Sequence, residues 1–217
     1  EHLSEFDKQD QLLDELSKRA ERYENKHYTA ISTFLKARIA LNADNYALAK
    51  EYYLKCLPIF IELNQSLYLQ SCYIDMSRVE FYYSDYEQSL HYLLAAQKDH
   101  SLHPILDRTE TAILANIINV YTALGLNDKV LDYALKNREL AQIHQSPKDE
   151  SIALFHISRA YMNLGRYRDS LDSMKVALEI ARQYSLLDLI PQIQVGLAEI
   201  FTAQNDYKNS YPILTQA

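Results

Sequence analysis

Apolar residues recur along this chain at three- and four-residue spacing, the period of a helix with one buried face. Ile113, Leu114, Ile117, Ile118 and Tyr121 form one such run. Leu171, Met174, Val176, Ala177, Leu178 and Ile180 form another. Short polar breaks interrupt the pattern: Asp44-Asn45, Ser84-Asp85, Gly125, Gly165 and Asn205-Asp206. These residue types tolerate left-handed backbone or bond their own main chain, so they stop one helix and start the next. The pattern predicts a succession of helix–turn–helix units. A further amphipathic stretch opens the chain, with Leu3, Phe6, Leu12, Leu13, Leu16 and Ala20 near helical spacing.

The breaks are periodic. Ala37–Tyr46 aligns with Ser77–Tyr86, Ile118–Asn127, Ser158–Tyr167 and Ala198–Tyr207. The last residues of these segments are 40, 41, 40 and 40 positions apart. A fixed period over five units is the signature of a stacked-repeat architecture.

The aligned positions resemble the tetratricopeptide repeat. That family carries small residues at its eighth, twentieth and twenty-seventh positions, an aromatic at the eleventh and Gly-Asp-Tyr at fifteen to seventeen. Position eight here is Ala37, Ser77, Ile118, Ser158 and Ala198; position eleven is Ala40, Glu80, Tyr121, Tyr161 and Phe201. Position seventeen is Tyr46, Tyr86, Asn127, Tyr167 and Tyr207; position twenty is Ala49, Ser89, Val130, Ser170 and Ser210. Position twenty-seven is Cys56, Ala96, Asn137, Ala177 and Ala217. The fourth unit fits best, and the third departs at positions eight, seventeen, twenty and twenty-seven. The resemblance implies an all-α fold: a right-handed α-solenoid of about five stacked helix–turn–helix repeats plus an N-terminal helix. Residues 1–26 form that helix, a cap or the remnant of an earlier repeat. Residues 27–217 form the solenoid, with repeats near 30–69, 70–110, 111–150, 151–190 and a truncated 191–217. The period exceeds the family's usual 34 residues, which lengthens both helices of each unit. Such long-helix repeats are similar to those of bacterial signalling proteins.

Composition narrows the function. The net charge of −7 argues against nucleic acid and anionic membrane, which need a basic face. No apolar run approaches the ~20 residues of a membrane span. Three glycines in 217 residues leave no phosphate-binding loop or dinucleotide fingerprint to be written. His91, His100 and His103 surround a loop without a cysteine or paired acid, so no metal site or other cofactor is expected. No nucleophile–base arrangement appears either. Cys56 and Cys72 lie symmetrically about the turn near Asn64 on neighbouring helices; two buried thiols are expected, a bridge only in an oxidising compartment. The eighteen tyrosines fall mostly at packing positions, while Phe81, Tyr82 and Tyr83 exceed what packing needs.

The resemblance places ligand contacts at positions two, five, six, nine, twelve and thirteen of each first helix. Position nine reads Arg38, Arg78, Asn119, Arg159 and Glu199. Of these, Arg38, Arg78, Asn119 and Arg159 are candidate peptide-binding residues, together with Phe81, Tyr82, Asn116, Phe155 and Asn163. Phe34, Asn42, Ile74, His156 and Met162 are neighbouring positions of the same face. Asparagine offers a donor and an acceptor to extended backbone, and arginine holds carboxylates bidentately. The competing expectation is that the arginines pair with acids on adjacent helices, Asp75 and Glu80 among them. The expected function is a protein- or peptide-binding module, the sensory or scaffolding region of a larger bacterial signalling protein. The chain starts without Met and stops inside a repeat, which suits a segment of a longer protein. Two alternatives stand beside it: the regulatory part of a diguanylate cyclase or histidine kinase, and a solenoid that forms homodimers. A cytoplasmic location is the simpler expectation, a periplasmic one following if a signal peptide has been removed.

Overall fold

The computed structural model describes residues 5–22, 25–104, 109–206, 208 and 210, and among them there is no strand. Ten helices follow one another: α1 Glu5–Arg22, α2 Lys26–Asn42, α3 Tyr46–Glu62, α4 Ser66–Tyr82, α5 Tyr86–Leu102, α6 Thr109–Ala123, α7 Asn127–Ile143, α8 Pro147–Asn163, α9 Tyr167–Gln183 and α10 Ile190–Ala203. The even-numbered helices from α2 are the first helices of the repeats (A helices), and their odd-numbered successors are the B helices. The expected second helix of the fifth repeat lies mostly outside the described residues, and so does Tyr207.

Seven of the ten helices are 17 residues long. With a three-residue turn each makes twenty, so the forty-residue period is two equal halves. The turns share one geometry. Asp44, Ser84, Gly125, Gly165 and Asn205 end A helices, and Asn64, Gln145 and Ser185 end B helices, all with φ between 50° and 74°. At each, the next residue's N–H reaches back five residues: Asn45 to the Ala40 carbonyl (2.8 Å), Ser146 to Ala141 (2.9 Å), Arg166 to Tyr161 (2.8 Å). The left-handed residue itself bonds three residues back, as Asp44 does to Leu41 at 3.1 Å. This double bond satisfies carbonyls that a helix end leaves open. The following residue then caps the next helix. Asn45, Asp85 and Ser146 accept from the N–H groups of Leu48, Gln88 and Asp149.

Within a hairpin the helices meet at small residues. Positions eight and twenty are buried in all five repeats, and position twenty-seven in the first four. Their spacing lets a position-twenty serine reach the carbonyl of position eight. Ser89 donates to the Ser77 carbonyl at 2.8 Å and Ser210 to Ala198 at 3.1 Å. Ser158 and Ser170 do so reciprocally, at 2.7 and 2.8 Å. The hydroxyls thus fill their own hydrogen-bonding needs at a contact too close for larger side chains. The third repeat departs as its sequence suggests: Ile118 and Val130 occupy these positions, both buried. Asn137 stands at position twenty-seven with its Oδ1 buried and without a hydrogen-bond partner among the described residues.

The chain divides into two compact units, residues 1–113 and 114–217. In unit 1, α1 packs on α2, α2 on α3, α3 on α4 and α4 on α5, while α2 also touches α4. Its core joins Phe34, Tyr53, Phe60, Cys56, Cys72 and Met76. In unit 2, α7 packs on α8, α8 on α9 and α9 on α10, while α10 also touches α8. Its core joins Ile118, Ile157, Met174, Ile193 and Ile200. The A helices α2 and α4 in unit 1, and α8 and α10 in unit 2, are therefore neighbours, so the outward side chains of each pair share one face.

Candidate functional site

Position nine follows the buried position eight by one residue, about 100° around the helix, and points outward. Arg38, Arg78, Asn119, Arg159 and Glu199 are all exposed. The two units use the row differently.

In unit 1, Arg38 of α2 and Arg78 of α4 converge on Asp75. Arg38 Nε lies 3.9 Å from Asp75 Oδ2 and an Arg78 terminal nitrogen 3.6 Å from Oδ1. The buried Tyr53 hydroxyl donates to Oδ2 at 2.8 Å. Burial pushes the Asp75 carboxyl above its ordinary range, with Tyr53 and both arginines opposing the shift. Both arginine side chains stay about half exposed (56% and 51%) and loosely held, and such pairs contribute about 0–1 kcal/mol. A tighter pair joins Lys50 to the buried Glu80 at 2.8 Å. The competing expectation from sequence, arginines paired with neighbouring acids, therefore describes Arg38 and Arg78. Phe34 is only 4% exposed. It meets Tyr53, Phe60 and Tyr68 edge-on, and so belongs to the core and not to the outer face. Phe81, Tyr82 and Tyr83 are exposed at the end of α4. Tyr82 stacks flat on Tyr46 at 3.7 Å and Phe81 meets Tyr86 at 5.3 Å.

In unit 2, no carboxylate lies within ion-pairing distance of Arg159 among the described residues. Its guanidinium sits 5.8 Å from the centre of the Phe155 ring, four residues back on α8. Asn163, a further four residues on, donates to Asn127 Oδ1 at 2.9 Å. On α6, Asn119 is exposed and Asn116 half-buried. Two hollows flank this stretch of α8. An open groove of about 560 Å³ is lined by Arg159, Met162, Asn163 and Tyr167 with Glu199 and Thr202 of α10. A smaller, largely apolar hollow of about 240 Å³ is lined by Ile152, Phe155, His156, Leu189, Gln192 and Ile193. Burial, with the Arg159 charge beside it, lowers the pKa of His156 and keeps the ring neutral. Gly196 packs close behind this hollow: a Cβ there would sit 2.6 Å from the terminal methyl of Met174 and 3.3 Å from Phe155 Cε2, so both side chains would have to give way.

The structure thus brings Phe155, Arg159 and Asn163 together on α8, and Phe81, Tyr82 and Arg78 on α4. Ile152, Gln192, Glu199 and Thr202 were absent from the candidate residues. They occupy positions two, two, nine and twelve, so the repeat register was the signal that finds them. No group of three metal-ligating side chains occurs among the described residues. His100 is instead buried against Gln70, 3.0 Å from its Oε1. Cys56 and Cys72 are free, buried and 4.0 Å apart at sulfur. No described helix is long and apolar enough to cross a membrane.

Equal antiparallel helices, small residues at their crossings and a shared outward face define a helical-repeat protein of the all-α solenoid class. The family model described as "Tetratricopeptide repeat" matches residues 32–59, across α2 and α3, and 152–184, across α8 and α9. No curated protein matches the chain. Among solved structures, BtubC (BKLC) from P. vanneervenii is 12% identical, with a TM-score of 0.77 over 99% of this chain and 90% of that one. A signal-transduction ATPase with numerous domains, carrying a tetratricopeptide repeat sensor, from Pyrococcus horikoshii is 17% identical with a TM-score of 0.81; it is matched over 97% of this chain and 32% of its own. A Rap protein complexed with competence and sporulation factor is 15% identical with a TM-score of 0.66, over 88% and 52%. At such identities the likeness is one of fold. The chain spans about a third of the ATPase and half of the Rap protein.

Proposed function

We propose that this chain is a polypeptide-binding module whose A-helix faces hold a segment of a partner protein or a peptide. In this reading it is the sensory or scaffolding part of a larger bacterial signalling protein. The observation that carries the reading is the position-nine row: five outward side chains at one structural position, with Arg159 between two hollows and no acid paired to it among the described residues. Arg38, Arg78, Asn119 and Arg159 supply charge and amide contacts, joined by Asn116 and Asn163; Phe81, Tyr82 and Phe155 supply apolar ones. Extended backbone presents an amide about every 3.3 Å, and buried contacts of this mixed kind give peptide grooves both affinity and selectivity. The Rap complex and the ATPase's sensor region support a ligand-responsive role by likeness of fold. Binding that favours one packing of neighbouring hairpins over another shifts the populations of both, which is how such a module signals.

The test is capture of partners by the native full-length protein, with mass spectrometry of what is retained. The triple variant Arg78→Ala, Asn119→Ala, Arg159→Ala is run in parallel. Loss of about 10-fold or more in affinity is the expected result, since each contact to a charged group contributes about 1.5–3 kcal/mol. Unchanged affinity for every retained partner would sink the proposal.

A further inference from the structure

His156, an Arg159 that no acid pairs with among the described residues, and the two hollows of unit 2 specify a ligand more narrowly than a peptide-binding face does. Resting on the reading above, we infer that unit 2 recognises an extended segment with a large apolar side chain and, two residues away, a single carboxylate.

The apolar hollow has room for about one side chain. Ile152, Phe155 and Ile193 form its walls, and the only histidine there is held uncharged by burial. It therefore selects an aliphatic or aromatic group. Arg159 lies one helical turn along α8 from Phe155, with its guanidinium over that ring and no acid of the described protein to neutralise it. A carboxylate is its natural partner, taken through two parallel N–H bonds. The spacing sets the register. The Arg159 guanidinium lies 5.8 Å from the centre of the Phe155 ring. Alternate side chains of an extended strand, which share one face, lie about 6.6 Å apart. An apolar side chain seated over Phe155 thus puts the side chain two residues on beside Arg159.

The same groove limits the charge. Glu199 lines it together with Arg159, so beyond the first carboxylate the local field turns negative. A run of acidic residues is disfavoured; an apolar residue with one acid, followed by a polar or basic residue, is favoured. Unit 1 differs, because Asp75 lies beside both of its arginines and Phe34 is buried in the core.

The experiment is selection of a displayed random heptapeptide library on the immobilised full chain, the wild type beside Arg159→Glu and Ile152→Asp. Circular dichroism confirms that both variants remain helical. Wild type is expected to enrich an apolar residue and an Asp or Glu two positions apart. The Arg159→Glu chain is expected to replace that acid with Lys or Arg at the same spacing, and Ile152→Asp to lose the apolar preference. A fluorescein-labelled wild-type consensus peptide should bind Arg159→Glu at least about tenfold more weakly. Enriched peptides without the pair, whose binding nevertheless falls in Arg78→Ala or Asn119→Ala, overturn this inference and leave the A-face reading standing. Enrichment of nothing, or of peptides indifferent to every A-face variant, overturns both.

Discussion

Asn137 shows what the repeat demands of a single residue. Ala96 and Ala177 hold the equivalent positions, both fully buried, whereas the Asn137 amide oxygen is buried without a partner among the described residues. An unsatisfied buried polar atom costs about 1–3 kcal/mol. Asn137→Ala should therefore raise stability by about 1 kcal/mol, read as a higher melting temperature; a lower one would mean the amide is bonded in solution. Asp75 is a second such case. Its carboxyl pKa is raised by burial, so the folded chain holds that proton more tightly than the unfolded one. The stabilisation from this group is complete below the ordinary carboxylate pKa, just under 4, and is lost as pH rises through the higher folded value. Asp75→Asn keeps an acceptor for Tyr53 and removes the titration. In melts from pH 4 to pH 7, wild type should lose stability relative to this variant, and parallel curves would refute the assignment.

The elements were legible because a helix needs only its period and its stops. The Asp44, Ser84, Gly125, Gly165 and Asn205 turns were visible as breaks, and the small residues at positions eight and twenty marked where helices cross. The B-to-A turns at Gln145 and Ser185 were harder, because Gln145 is not a residue type that signals left-handed backbone and Ser185 stands without an Asp or Asn beside it. They adopt it all the same, at φ of 50° and 53°, since the bonds back to Ala141 and Ala181 compensate for the strain. Gln145→Gly should remove that strain and stabilise the chain by about 1 kcal/mol, measured by denaturant midpoint with an unchanged slope; a fall in midpoint would count against the strain. The candidate face was legible as a row of outward positions, and pairing with Asp75 as one of two expectations, but not which arginines that acid would take. Sequence register places Arg38, Arg78 and Arg159 alike. Only packing shows that an acid at position six, Asp75, meets the first two, while His156 at that position leaves the third unmatched. Phe34 and Phe155 likewise share position five, yet Tyr53, Phe60 and Tyr68 draw the former into the core.

At the scale of the whole molecule, stability in a repeat array is a sum of local terms and nearest-neighbour contacts. The core of unit 1 is aromatic: Phe60 stacks on Tyr68 at 4.8 Å and meets Phe34 at 6.1 Å. Phe60→Ala should cost about 3–5 kcal/mol. Amide hydrogen exchange should then quicken in α2–α4 well before α8–α9, whereas equal loss of protection throughout would show one cooperative block. The twenty-residue module also constrains how such a gene can change. Removing one residue from the middle of α8 turns the rest of that helix by about 100°, which would carry Arg159 or Asn163 out of line with Phe155. Excising forty residues, from one turn to its equivalent, restores every helix to its phase. Tolerated changes of length inside the helices should therefore be quantised, arriving as whole hairpins gained or lost, with single-residue changes confined to the connections between them.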